Sequence, residues 1–292
     1  GITIIGFIIY ILISQKIYFK GLVGNLFGGG ASNANKEINQ KEYRNSKLYK
    51  SYVGKEFKNM ARNPVFLMQC LIPAVLIPII MVVVVYAGLN SDGMGLEQIT
   101  QMVQQMPTNT FFIACIILGV IQFFTMFIYI SITAVSRDGE NAVFMKYIPV
   151  SLYKQYMYKI IPNIIMNIVT IIITLGMAEY LLNLPVITLI ALFVVATIMG
   201  ILQSIAMIIV DLKRPKLNWD SEYAVAKQNL NLVFPVLLSM INIVILIGLV
   251  FLLNNINVYI GVGIVGILYI VATIMINKYL YNKQYELADK II

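Results

Sequence analysis

Residues 162–213 read PNIIMNIVTIIITLGMAEYLLNLPVITLIALFVVATIMGILQSIAMIIVDLK, with charge only at Glu179, Asp211 and Lys213. The one pronounced break is Asn183-Leu184-Pro185. A helix that crosses a bilayer needs about 20 mostly apolar residues. The run supplies two, roughly 160–182 and 185–210, joined by a hinge at 183–184. Glu179 and Asp211 fall near the ends of these spans and are read as interfacial.

Working outward, the same criterion selects 231–253 and 257–277 on one side and 110–135, 65–88 and 1–15 on the other. The last is read as a truncated span. The whole chain of 292 residues is 60% hydrophobic and only 12% charged, with a mean hydropathy of +0.84. A soluble domain carries about 25% charged residues, so the expected solvent is lipid. The expected fold is an all-α membrane protein, a polytopic helix bundle of six complete spans plus one truncated N-terminal span. Pro73, Pro78, Pro162 and Pro235 are read as kinks or interfacial starts, since neighbouring groups in a membrane bundle can satisfy a freed carbonyl.

Charge sets the expected orientation. All 21 Lys and Arg lie in 16–64, 136–159, 211–230 and the tail from Lys278 onward. The alternate connections, 89–109, 183–184 and 254–256, hold none. By the positive-inside rule the basic loops and the tail face the cytoplasm of a multi-pass cell-membrane protein. Tyr86, Tyr147, Tyr153, Trp219, Tyr223, Tyr259, Tyr279 and Tyr281 near span ends suit the headgroup layer. The net charge of +8 is spread beside spans, which argues against a nucleic-acid partner.

Catalytic and metal chemistry find little support. There is no histidine, the commonest general base and metal ligand. Cys70 and Cys115 sit inside apolar runs, where thiols pack as small hydrophobes. Gly54-Lys55 is followed by Glu56, with no glycine-rich loop before it, so no phosphate-binding loop is present. No GxSxG, HExxH or calcium-loop pattern occurs. No catalytic, cofactor-binding or metal-binding residue is assigned, and the chain is not expected to be an enzyme.

The Gly- and Asn-rich stretch GLVGNLFGGGASNAN, 21–35, marks a boundary. Residues 1–20 are read as the end of a preceding transmembrane unit, 21–46 as a flexible cytoplasmic linker and 47–292 as the main unit. Within it, 46–63, SKLYKSYVGKEFKNMARN, forms an amphipathic helix. At 100° per residue Lys47, Lys50, Lys55, Lys58 and Arg62 share one arc. Leu48, Tyr49, Tyr52, Val53, Phe57 and Met60 share the other. Such a helix suits the cytoplasmic headgroup layer. Ser46 is a candidate N-cap, and Pro64 marks a break before the next span.

Two polar stripes run inside spans: Gln122, Thr125, Tyr129, Thr133 and Ser136 in one, and Asn163, Asn167, Thr170 and Thr174 in the next. Such stripes either glue helices together or line a path. Gln122, Thr125, Asn167 and Thr170 are the candidate path-lining residues. Two basic loops complete the set. SRDGENAVFMKYIPVSLYKQYMYK, 136–159, places an apolar patch, Val143-Phe144-Met145, between charged flanks and ahead of Ile148-Pro149, a form suited to docking in a groove of a soluble partner. DLKRPKLNWDSEYAVAKQNLN, 211–231, holds the only Trp, and Asn218 or Asp220 could cap a short helix.

Three runs together resemble permeases of type-2 ATP-binding-cassette transporters: KEFKNMARNPVFLMQCLIP ahead of the second segment, SRDGENAVFMKYIPVS, and DLKRPKLNWDSEYAVAKQN. The last is similar to the second inner loop of a permease group in low-GC Gram-positive bacteria. The resemblance spans about 46–292. It implies a six-span permease unit of an exporter that forms the translocation path, binds no cofactor itself, and couples to a separate ATPase subunit that binds ATP. It also implies pairing with a second permease unit. The positions matching the ATPase-coupling loop are Arg137, Asp138, Gly139, Glu140, Phe144 and Pro149. The alternative is a non-transporting scaffold or sensor that recruits a cytoplasmic protein through the same loops.

The topology makes a direct prediction. In a background lacking Cys70 and Cys115, single cysteines at Asn90 and Asn255 label from outside intact cells, while those at Ser151 and Ser221 label only after permeabilisation. Outside labelling at Ser221 breaks the assignment.

Overall fold

The computed structural model describes residues 48–91, 110–253 and 256–291. The segments 1–20 and 21–46, the candidate cap Ser46 and most of 89–109 lie outside the described residues. From Leu48 onward the chain packs as one compact unit. Every regular element among the described residues is helical.

The first helix, α1 (Leu48–Arg62), carries the expected amphipathic pattern. Lys50, Lys55, Lys58 and Arg62 are exposed, and Met60 is buried. The buried side of α1 packs against protein, with Met60 joining Phe66, Cys70, Ala74, Ile128 and Ile130. Asn63 then starts α2 (Pro64–Phe66), its Oδ1 accepting from the Val65 and Phe66 amides at 3.0 and 3.4 Å. Proline at the first position of α2 costs nothing there, because that amide would lack a helical partner anyway. A π-turn follows at Leu67–Leu71, with the Ile72 N–H bonding Leu67 O five residues back. Helix α3 (Ile72–Ser91) continues from it and holds Pro73 and Pro78.

Helix α4 (Thr110–Thr125) is shorter than its apolar run. The expected span 110–135 is helical only to Thr125; residues 126–135 are turns and irregular chain. At 1.5 Å per residue α4 is about 24 Å long, short of the roughly 30 Å hydrocarbon core. Ten further residues carry the chain to a 3-10 segment, Ser136–Lys146. Helix α5 (Leu152–Leu182) begins eight residues earlier than expected, absorbing the end of the basic loop 136–159. It ends at Asn183, whose left-handed backbone (φ 47°) lets its N–H bond Glu179 O at 2.8 Å. Asparagine is among the few non-glycine residues that adopt this conformation readily. Pro185 then opens α6 (Val186–Lys213).

A short helix, α7 (Glu222–Lys227), follows; its N-cap is Ser221 rather than the expected Asn218 or Asp220. A 3-10 turn at Leu230–Leu232 leads into α8 (Val233–Leu252), and α9 (Val258–Asn282) and α10 (Gln284–Ala288) complete the order. Among the described residues, five helical stretches are long and apolar enough to cross a membrane: 64–84, Leu152–Leu182, Val186–Lys213, Glu222–Leu252 and Val258–Asn282. The sixth apolar helix is the shorter α4. This is a multi-pass helical membrane protein.

The main apolar core lies among α4, α5, α6, α8 and α9, where Phe111, Leu118, Leu192 and Val265 are fully buried. A second cluster gathers Met145, Tyr156, Ile160, Ile208, Leu280 and Leu287 where the basic segments converge. That convergence defines one basic end of the bundle, built from α1, 136–146, 213–231 and 284–291.

Packing of α9 on α4 depends on Gly261. A Cβ there would lie 2.4 Å from Cδ2 of Phe111, a ring with no exposed surface and little room to retreat. Gly261→Ala is therefore expected to lower stability by about 1–3 kcal/mol, read as a fall in Tm in detergent. Phe111→Leu added to it should cost less than the sum of the two single changes. Wild-type stability of Gly261→Ala refutes the contact.

Candidate functional site

At the basic end the irregular chain 126–135 is largely buried, and buried peptide groups need partners. Some are satisfied locally, as where Ile128 N–H bonds Thr125 O at 3.2 Å and Ala134 N–H bonds Ser131 O at 3.3 Å. Other helices supply the rest through side chains. The Ser131 N–H donates to Asn163 Oδ1 of α5 at 3.3 Å. The Val135 and Ser136 amides donate to Asp211 Oδ2 of α6 at 2.6 and 3.1 Å. The Ser136 hydroxyl donates to the other oxygen of the same carboxylate.

Two cations serve the carbonyls. Arg137 Nη1 donates to Ile130 O at 2.6 Å and to Thr133 Oγ1 at 2.8 Å. Lys159 Nζ donates to Ala134 O at 2.9 Å. Both side chains are buried, with 1% and 0% of their surface exposed, and an isolated charge there would be very costly. Glu56 of α1 bridges them, accepting from Arg137 Nη2 at 3.2 Å and from Lys159 Nζ at 2.8 Å. Asp138 completes the set at 2.6 Å from Lys159. Two buried bases face two acids, and the exposed Lys55 adds a third cation 3.9 Å from Asp138 at the rim. Burial alone would lift the Glu56 carboxyl; Lys159 and Arg137 override it and hold it down at about 2.

The second basic loop clasps the same place. Trp219 Nε1 donates to Ser136 O at 2.9 Å, and the Lys216 amide donates to Ser136 Oγ at 2.9 Å. The Trp219 ring lies over Gly139, whose φ of +56° favours glycine and where a Cβ would sit a tight 3.2 Å from the indole.

The structure divides the residues of the candidate coupling loop. Arg137 and Asp138, expected on the charged docking flank, turn inward to meet Lys159 and Glu56. Gly139 is buried beneath Trp219, while Glu140 and Pro149 are exposed. Phe144 is 62% exposed, with Tyr147 at 78% and Ile148 at 37%. Beside the loop lies an open polar cavity of about 580 Å³, walled by Lys55, Asn59, Asp138, Glu140 and Trp219.

The four candidate path-lining residues are buried between helices. Gln122 Nε2 donates to Gln203 Oε1 at 2.7 Å, and the Thr125 hydroxyl reaches the same oxygen at 3.2 Å. Asn167 Nδ2 donates to Gly200 O at 3.3 Å, while its Oδ1 accepts no hydrogen bond from the described residues. Thr170 Oγ1 donates to Ala74 O of α3 at 2.7 Å. An open apolar cavity of about 630 Å³ between α4 and α8 is walled instead by residues such as Phe112, Ile116, Gly119 and Ile247.

Three residues of this buried polar site escape the sequence reading. Asp211, expected at the interface, is fully buried; Glu179 is exposed. Lys159, counted among the loop charges, sits inside α5. Glu56 falls between Tyr52 and Met60 at four-residue spacing on the apolar side of α1, which is the signal that could have found it. Compared with known protein families, curated proteins and solved structures, the chain matches none.

Removing one partner from a buried ion pair leaves an uncompensated charge and typically costs about 3–5 kcal/mol. Glu56→Gln is expected to lower stability on that scale, and Lys159→Met added to it should cost less than the two single changes summed. The carboxyl is held below its ordinary 4.5. Its contribution is therefore fully present above pH about 4.5 and is lost as pH falls toward 2. Thermal unfolding between pH 2 and 7 should show that acid limb in the wild type and a shallower one in Glu56→Gln. Identical limbs would remove Glu56 from the cluster.

Proposed function

We propose that this chain is the transmembrane permease of a type-2 ATP-binding-cassette exporter, forming the translocation path in the cell membrane and taking ATP-driven work from a separate cytoplasmic ATPase. The observation that carries the reading is the 136–149 loop. Its base is tied by ions and hydrogen bonds to α1, α5, α6 and the 214–220 segment, while its tip presents Phe144, Tyr147 and Ile148 outward. An exposed apolar tip on a firmly tied base is the form needed to pass a partner's movement into helices. The resemblance of three sequence runs to such permeases supports the same reading, as does the absence of any basic residue from the intervening connections 89–109, 183–184 and 254–256.

In this reading the stretch 64–91 together with α4, α5, α6, α8 and α9 make six crossings. The irregular chain after Thr125 completes the short α4 crossing, and the basic end is cytoplasmic. The buried polar stripes tie helices in this arrangement and become path-lining as the helices part.

The decisive experiment uses Phe144→Asp in the permease reconstituted with its ATPase. Placing a carboxylate in an apolar contact costs several kcal/mol. Association with the ATPase should weaken at least about tenfold and transport-stimulated hydrolysis should be lost, with insertion and Tm unchanged because the side chain is exposed. Wild-type coupling in this variant counts against the loop as the contact. Association without any stimulation by transported compounds assigns the chain to the scaffold class.

A further inference from the structure

A second cleft opens at the basic end, away from the ion cluster. It encloses about 480 Å³, with Met145, Lys146 and Pro149 on one wall and Tyr285, Ala288 and Asp289 on the other. We propose that this cleft receives an apolar side chain of the soluble ATPase, so that the 284–291 segment forms one wall of the docking surface whose other wall is the 136–149 loop. The inference rests on the permease reading above.

Both walls are fixed to α5, the loop wall through Gln155 Nε2, which donates to Met145 O at 2.9 Å. The Tyr153 amide donates to Gln284 Oε1 at 3.0 Å, and the Tyr156 hydroxyl donates to Gln284 O at 3.3 Å. The Tyr153 ring meets Tyr281 edge-on at 5.3 Å, and its hydroxyl donates to Asn277 Oδ1 at 3.0 Å. Met145, Leu287 and Ile291 are buried in one cluster. A body seated in the cleft therefore presses on the loop and on the end of α9 together.

The surface chemistry points to a protein rather than to lipid. Tyr147 and Tyr285 stand 78% and 67% exposed beside the cleft, and tyrosine is among the residues that dominate protein–protein contacts. Lys146 lies on one wall and Asp289 on the other, while Glu286, outside the cleft, is paired with Lys283. The two charges that line the cleft are of opposite sign, so an anionic membrane surface gains no net attraction there. A protein segment carrying one apolar side chain between charges of both signs satisfies both walls.

The test places the photo-crosslinker p-benzoylphenylalanine at 285 and, separately, at 144 in the full chain in its native membrane. Products are probed with 8-azido-ATP, which marks an ATP-binding polypeptide. Capture of the same azido-ATP-labelled chain from both positions is the expected result, and Asp289→Lys should cut the yield at 285 about tenfold. Capture from 144 alone, or lipid adducts alone at 285, overturns the shared surface and leaves the permease reading in place. Failure to capture a labelled chain from either position overturns both. Tyr285 is exposed and outside the buried cluster, so an unchanged Tm certifies that each variant is folded.

Discussion

The backbone from Met126 to Val135 is largely buried without a helix to satisfy it, and the basic end of the protein is organised around that fact. A peptide group denied both water and a partner costs roughly 1–3 kcal/mol. The chain meets the demand with side chains from elsewhere: Asn163 and Lys159 from α5, Asp211 from α6, and Arg137 folding back on Ile130. Three of these four are charged, so the solution creates a second demand. Glu56 and Asp138 answer it by pairing with the two cations. Asp211 is answered by two amides and the Ser136 hydroxyl. The docking of α1 follows from this sequence of needs, because Glu56 is the one residue of that helix that reaches both cations.

Buried ion pairs are weak contributors to net stability, since desolvation offsets most of their attraction. Their effect here is on uniqueness of arrangement. Arg137, Lys159, Glu56 and Asp138 can satisfy one another only if α1, the 3-10 segment and α5 keep their present register. The apolar core between α4, α5, α6, α8 and α9 has no such demand, since van der Waals packing tolerates small slides that a 2.6–3.2 Å hydrogen bond does not. Trp219 over Gly139 adds a steric stop to the same place.

The helical, membrane-crossing character was legible from the first apolar run, because hydropathy depends on composition and composition is preserved in the fold. The hinge at 183–184 was legible too, since Asn183 and Pro185 have specific backbone roles. The end of α4 was not. MFIYISITAV, 126–135, is as apolar as a span, and hydropathy does not separate a buried irregular segment from a buried helix. The available hint was Ile128, Ile130 and Ile132 at alternate positions, with Thr133 and Val135 after them: a β-branched series with poor helix preference. The ion cluster was missed for a related reason. Counting Lys159 and Arg137 as loop charges gives the right sidedness signal, but a charge count carries no information on which way a side chain turns. Only the position of Glu56 on the apolar arc of α1 pointed inward.

The distribution of polar contacts along the bundle bears on how such a protein would move. At the basic end, charged groups at 2.6–3.2 Å tie α1, α5, α6 and the loop into one body. Through the middle the ties are neutral: Gln122 to Gln203, Thr170 to Ala74 O, and Asn167 to Gly200 O at the long distance of 3.3 Å, its own oxygen accepting from none of the described residues. Neutral hydrogen bonds between membrane helices average about 0.6 kcal/mol, a small fraction of what breaking a buried ion pair costs. Separation is therefore easiest between the middle portions of α3, α5 and α6 and hardest at the basic end. A displacement applied to the loop tip must pass through the tight end as a unit and be taken up where the ties are weakest, at Asn167 and Thr170. In the proposed permease the polar stripe would hold the helices together when closed and present its amides and hydroxyls when they part, so that glue and path lining would be two states of the same side chains.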